Sequence, residues 1–149
     1  MDRTVARDLI NTFATERFQA VTTALVGAAG DLRYQGIKPA DGEPLVPPNN
    51  HYWARVLMTV VDEYQETLRC EVRRFVSVGF ITIQFFVPVV DSNAQPNLDI
   101  ITEQMRNAYR GHPSSEIEFT RPRINDSIPA EPNWLRANLV SDFAYRQFM

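Results

Sequence analysis

Cysteine, histidine and lysine are scarce in this chain, and each scarcity excludes a class of protein. Cys70 is the only cysteine, so an internal disulfide and a cysteine-based zinc cluster are both excluded. The two histidines, His51 and His112, stand beside turn residues and outside any metal-binding or catalytic motif. Lys38 is the only lysine, and a net charge of −3 argues against a surface built to neutralise nucleic-acid phosphates.

Long apolar runs and catalytic motifs are also missing. No segment reaches the roughly 18 apolar residues of a membrane span, and the N-terminus mixes charged with apolar residues, which predicts a cytoplasmic protein. There is no glycine-rich phosphate loop, serine nucleophile elbow or zinc-protease motif. The acidic Asp62, Glu63 and Glu66 are interpreted as solvated charges at a hairpin tip. We therefore predict no catalytic residue, no metal site and no cofactor, so the chain is not expected to be an enzyme.

The most informative stretch is Arg73–Pro88, which, when read as a strand, is apolar on both faces from Phe80 onward. Phe80 and Phe86 fall on one side, while Ile81, Ile83 and Phe85 fall on the other. A second β-branched and aromatic run precedes it, and the polar segment Asp62–Arg69 separates the two. This pattern predicts a long antiparallel hairpin whose tip lies in water.

Helices and shorter strands flank this hairpin. Residues 2–26 have helical apolar spacing with Asp2 as cap and with Gly27 or Gly30 as the end. Residues 98–110 are expected to form a second helix with Asn97 as cap and Gly111 at its end. Short strands are expected at residues 31–37 and 116–125, the latter an edge or a bulge because of Pro122, and a closing strand follows Trp134. The predicted fold is α+β in one domain, residues 1–149, with the order α-β-β-β-α-β-β.

The number of helices leads to an expectation about partners. Two helices, each about 10 Å wide, cover one face of a mixed or antiparallel sheet of about four to five strands and leave the other face uncovered. Because Phe80–Val87 is apolar on both faces, something else has to cover the second face. Either the hairpin folds over it or another subunit packs against it.

Two segments are candidate contacts with such a partner. The hairpin tip and its flanks combine acidic residues with arginines, which form charge-assisted pairs across interfaces. The candidate contact residues there are Asp62, Glu63, Glu66, Arg69, Arg73 and Arg74. The proline-rich loop of residues 38–50 contains the apolar pair Leu45 and Val46, which we expect to be buried when a partner binds, unless the loop is only a connector.

An ordered set of landmarks runs through the whole chain. It comprises Phe13 and Phe18 in the first helix, Pro47–Pro48 before Trp53-Ala54-Arg55-Val56, Arg73 and Arg74 before Gly79, Ile83–Pro88, Met105–Gly111, and Trp134 to Phe143 and Tyr145. Over residues 5–146 this set resembles the tail terminator proteins of long-tailed bacteriophages, in the minor-tail, terminator-like family. Asp91, Ser92 and Asn93 stand where that family tends to have glycines.

The resemblance implies a structural virion protein without catalytic residues. It implies self-association into a ring, typically a hexamer, at the head-proximal end of the tail, assembled in the host bacterial cytoplasm. The expected partners are the tail tube protein, whose polymerisation the ring ends, and the head–tail connector protein. DNA would pass through the lumen without specific binding, and no membrane is involved. The alternatives are a head-side connector or neck ring protein of related fold, and a small-molecule-binding α+β domain.

Overall fold

The computed structural model describes residues 2–34, 51–65, 74–112, 117–125 and 134–148. Two helices and five strands follow one another in the predicted order, which confirms the α+β prediction. They are α1 (Arg3–Val26), β1 (Asp31–Tyr34), β2 (Trp53–Gln65), β3 (Arg74–Pro88), α2 (Ala94–Arg110), β4 (Ile117–Asn125) and β5 (Trp134–Phe148).

Helix α1 begins and ends where the sequence predicts. The Asp2 side chain accepts a hydrogen bond from the Val5 backbone N–H at 2.9 Å, which satisfies one donor of the first turn. Gly27 ends the helix in the left-handed conformation (φ 76°), and its N–H donates to the Thr23 carbonyl. The buried residues recur every fourth position and form one stripe along the helix: Ala6, Ile10, Ala14, Phe18 and Thr22.

Helix α2 begins earlier than predicted. Its first residue is Ala94, with Asn93 as the cap residue, whereas the sequence indicated a start after Asn97. Pro96 lies in the first turn, where a proline costs no hydrogen bond because those N–H groups have no partner within the helix. The Asn93 N–H donates to the Asp91 carboxylate, so Asp91 holds the turn that enters the helix.

The five strands form one mixed sheet in the order β1-β2-β3-β5-β4. Strand β1 is parallel to β2 and the other three pairs are antiparallel. Strand β3 is at the centre and pairs with β5 along its whole length, from Arg74 opposite Phe148 to Pro88 opposite Trp134. The strand that is apolar on both faces in the sequence is therefore the central strand of the sheet.

The far end of the hairpin corrects one prediction. Asp62–Gln65 belong to β2 and pair with β3, although the sequence placed the turn from Asp62 onward. The register shifts between Val60 and Asp62, so Val61 is the extra residue of a β-bulge. The prediction placed a turn here because these side chains are charged or polar. They are polar because this part of β2 is exposed to solvent.

The edge strand β4 behaves as its proline predicts. Its pairing with β5 shifts between Thr120 and Arg123, and Pro122 lies in that irregularity, where no ladder donor is required. Arg121, within the same irregularity, has a positive φ of 53°. The edge-or-bulge prediction at Pro122 is confirmed.

Both helices pack on the same face of the sheet. Phe18 of α1 stacks on Phe85 of β3 with ring centroids 5.7 Å apart, and Phe13 meets Tyr109 of α2 edge-on at 4.9 Å. Ile81 and Ile83 are fully buried in the same cluster. Residues of β3 with odd numbers from Ile81 to Val87 face the helices, and those with even numbers face the opposite side.

The hydroxyl of Tyr109 makes the stability of this core depend on pH. It is buried and finds no hydrogen-bond partner among the described residues, and this burial raises the pKa of the Tyr109 phenol. Above about pH 10 the unfolded chain loses this proton while the folded chain keeps it. We therefore expect the free energy of unfolding to fall above pH 10, by about 1.4 kcal/mol per pH unit from this residue.

Tyr109→Phe isolates this effect. Because the variant removes a buried hydroxyl without a partner, it should be as stable as the wild type or more stable by about 1 kcal/mol at pH 7. Urea unfolding between pH 7 and pH 11 should show a shallower alkaline decline in Tyr109→Phe than in the wild type. An equally steep decline in both proteins would contradict this account.

Candidate functional site

The side of the sheet opposite the helices carries the candidate site. We call it the helix-free face, since both helices pack on the other side of the sheet. At one end three aromatic side chains and two arginines meet, and we name this group the aromatic–arginine patch. Its members are Trp53 and Arg55 of β2, Phe86 of β3, and Trp134 and Arg136 of β5.

The strand register brings these residues together. Trp53 is opposite Phe86, and Phe86 is opposite Arg136, so the three lie in one row across β2, β3 and β5. Trp53 and Phe86 stack almost in parallel with centroids 4.0 Å apart, and Trp134 meets Trp53 edge-on at 5.8 Å. All three aromatic side chains are buried, in a cluster separate from the main core.

The arginines lie over these rings. The guanidinium carbon of Arg55 is 5.4 Å from the Trp53 centroid and 5.5 Å from the Phe86 centroid, and that of Arg136 is 6.0 Å from Phe86. These distances are typical of cation–π contacts. Arg55 also donates from Nη1 to the Gln84 side-chain carbonyl at 3.3 Å. The patch thus places two positive charges over buried aromatic rings.

Polar atoms of a tryptophan and an asparagine in this region are buried and have no hydrogen-bond partner among the described residues. They are the indole Nε1 of Trp53 and the side-chain oxygen of Asn138, which is opposite Gln84. A buried polar group without a partner destabilises a fold. Ring stacking and cation–π contacts, rather than hydrogen bonds of these two atoms, therefore hold the patch together.

Away from the patch the helix-free face becomes apolar and then charged. Leu57, Phe80, Thr82 and Val140 are partly buried there, in contrast to the fully buried residues under the helices. Asp142 lies further along and forms ion pairs with Arg123 at 3.3 Å and Arg121 at 3.7 Å. Partly exposed apolar side chains therefore lie next to one another on three adjacent strands, β2, β3 and β5.

The structure places three of the predicted contact residues. Asp62 accepts the Glu63 N–H at 2.9 Å, Glu63 accepts the Ser77 hydroxyl at 3.1 Å, and Arg74 begins β3 opposite Phe148. Glu63 lies on the helix side of β2 and Asp62 on the helix-free side, so the sheet separates them. The other predicted contact residues lie outside the described residues: Leu45, Val46, Glu66, Arg69 and Arg73.

The aromatic–arginine patch was missed as a site in the sequence, although a signal for it exists. Trp-Ala-Arg at 53–55 and Trp-Leu-Arg at 134–136 repeat the same alternation in two strands. In a strand this spacing puts tryptophan and arginine on one face. The missing information was the register, which makes the two repeats neighbours of Phe86.

A pocket of about 360 Å³ is lined by His51, Tyr52 and Asp91 together with the end of α1 and the residues that follow it. The Tyr52 hydroxyl donates to Asp91 and accepts from the Asn97 side chain at 2.7 Å. Burial raises the pKa of Tyr52 to about 12, and the hydrogen bond from Tyr52 lowers the pKa of Asp91. This network connects Tyr52, which immediately precedes β2, to Asn97 of α2 and to Asp91 in the turn before that helix.

The described residues bring no three histidine, cysteine or acidic side chains together in a way that could hold a metal ion. Neither described helix combines the length and apolarity needed to cross a membrane. The predictions of no metal site and no catalytic residue stay predictions.

Comparisons with known proteins add little to this description. No protein-family model matches the chain, and no curated protein matches it. Several solved structures match, and one of them is similar over 95% of this chain and 96% of its own length, with 13% sequence identity and a TM-score of 0.49. A likeness of that size carries no argument about function.

Proposed function

We propose that this chain is a bacteriophage tail terminator subunit, which forms a ring on the head-proximal end of the tail tube, ends tube growth and offers a surface to the head connector. The observation that carries the proposal is the helix-free face. One side of the sheet is closed by two helices, while Leu57, Phe80 and Val140 remain partly exposed on the other. A second protein surface that excludes water there would bury this apolar area.

Two further features support a structural role. The landmarks that resemble the terminator family, Phe18, Trp53, Gly79 and Tyr145 among them, lie in the core or at the centre of the sheet. Among the described residues the groups with shifted pKa values are Tyr52 and Tyr109, whose pKa is raised, and Asp91, whose pKa is lowered, and each shift moves the group further from a change of charge near pH 7.

The test uses the purified protein and the tail tube protein of the same phage. We expect the protein to form rings visible by negative-stain electron microscopy and to stop tube elongation when added in small amounts. Val140→Asp, which puts a charge on the helix-free face, should abolish both effects. Val5→Asp is the matched control, because Val5 is exposed on α1 and should tolerate the charge.

Three outcomes decide between the proposals. A protein that stays monomeric at high concentration and leaves tube growth unchanged would overturn the terminator proposal. Rings that bind the portal side and not the tube would identify a head-side connector instead. Equal behaviour of Val140→Asp and Val5→Asp would show that the helix-free face is not the assembly surface.

A further inference from the structure

Strand β2 carries opposite charges at its two ends on the helix-free face. Arg55 is opposite Gln84 and Asp62 is opposite Val78, and both partners are even-numbered residues of β3 that face away from the helices. One strand therefore offers a cation near its start and an anion near its end, on the same side of the sheet.

At the basic end of β2, the Arg55 guanidinium is positioned to bind a carboxylate. No carboxylate of the described residues pairs with Arg55, whose guanidinium carbon lies 5.4 Å from the Trp53 ring centroid and 5.5 Å from the Phe86 ring centroid. Its contact with Gln84 fixes the orientation of the guanidinium. An arginine preorganised in this way loses little conformational freedom when it binds a carboxylate.

The acidic end of β2, at Asp62, is exposed to solvent. Asp62 is exposed and pairs with no basic side chain of the described residues, and its Oδ1 atom accepts a hydrogen bond from the Glu63 N–H. Next to it Val61 is 66% exposed and Tyr64 is 48% exposed, so two large apolar side chains flank the carboxylate. This combination fits the arginine of the patch, where Asp62 pairs with the Arg55 guanidinium that lies over the buried rings.

The two ends cannot meet within one subunit. Seven residues separate Arg55 from Asp62 along β2, which corresponds to about 23 Å at the rise of an extended strand. We propose that the aromatic–arginine patch of one subunit binds the acidic end of β2 from a second copy of the chain, with Asp62 paired to Arg55.

This inference rests on the proposed function, because it supplies the unlike surfaces that a ring needs. Each subunit would use its patch toward one neighbour and its acidic end toward the other, and contacts between unlike surfaces close into rings when the rotation permits. A register with Arg55 opposite Arg55 brings like charges together and is disfavoured.

The experiment reverses each charge and then restores the pair. Arg55→Glu and Asp62→Arg should each weaken assembly by at least about tenfold in dissociation constant. The double variant R55E/D62R should assemble like the wild type, and an equimolar mixture of the two single variants should form rings in which they alternate. Native mass spectrometry, with one variant isotopically labelled, measures ring size and composition.

Arg3→Glu is the matched control, since it changes the net charge as Arg55→Glu does but lies at the start of α1. It should leave assembly unchanged. Circular dichroism melting checks that each variant is folded. If Arg55→Glu does not fold, Asp62→Arg carries the test, because Asp62 is exposed and its replacement leaves the core intact.

The outcomes separate this inference from the proposed function. Rings that form normally in every variant, or a double variant that stays as defective as the singles, overturn the Arg55–Asp62 contact and leave the terminator proposal standing. A wild-type dimer that depends on both residues upholds the contact and overturns the ring. A wild-type protein that never assembles, alone or on tubes, overturns both.

Discussion

Replacing Gly79 by alanine is expected to destabilise the fold by about 3 kcal/mol or more. A Cβ atom at this position would lie 2.0 Å from the Thr59 carbonyl oxygen and 2.9 Å from the Val60 Cα, both backbone atoms of β2. These atoms cannot move away without breaking the pairing of β2 and β3 beside the Val61 bulge. Urea unfolding should show the loss, and thermal melting should show a decrease of about 6–12 °C.

Gly111→Ala is the matched control for this substitution. A Cβ there would lie 3.5 Å from the Asn107 carbonyl oxygen, an ordinary contact, and φ is −89°, which any residue adopts. The change in unfolding free energy should stay within about 0.5 kcal/mol. Equal effects of the two substitutions would show that general chain stiffening, and not the strand contact, determines the result.

The second large effect is expected at Phe85. Its side chain is fully buried and stacks on Phe18 beneath α1, so Phe85→Ala leaves a cavity that the helices close off. A loss of about 3–5 kcal/mol is expected in urea unfolding. Phe80, five residues earlier on the same strand, is only partly buried and lies on the helix-free face.

Phe80→Ala should therefore cost less stability, about 1–2 kcal/mol from the lost burial of apolar area. Its main effect is expected on assembly, which sedimentation velocity measures. A variant that is folded but no longer forms rings would link the helix-free face to self-association. Normal assembly of Phe80→Ala would contradict that link and leave the expectation for Phe85 untouched.

Most of the fold could be predicted because its signals are local. The capping of α1 by Asp2, its end at Gly27 and the bulge at Pro122 all follow from the chemistry of single residues. The start of α2 was missed because Asn97 was taken as its cap, whereas the helix begins at Ala94 and its first turn tolerates Pro96. The strand at Asp62–Gln65 was missed because solvent-facing strand residues are as polar as turn residues.

The candidate site was less predictable because it depends on register between distant segments. Alternation in the sequence shows that Trp53 and Arg55 share a face, but it does not show which residues of β3 and β5 stand beside them. The amino-acid composition of β1 and β2 likewise gives no indication that these two strands pair in parallel. Only the pairing of Phe86 with both Trp53 and Arg136 turns separate alternating strands into one surface.

The full-length pairing of β3 with β5 also determines the order in which the protein can fold. The hairpin of β2 and β3 closes between neighbouring segments, whereas β3 meets β5 only after α2 and β4 have been bridged. Such long-range pairing is slow, because the entropy of a large closed loop is lost before the contacts form. During synthesis one edge of β3, a strand with apolar side chains on both faces, therefore stays unpaired until β5 has left the ribosome. Until then it is the segment of the chain most prone to bind other nascent chains or a chaperone.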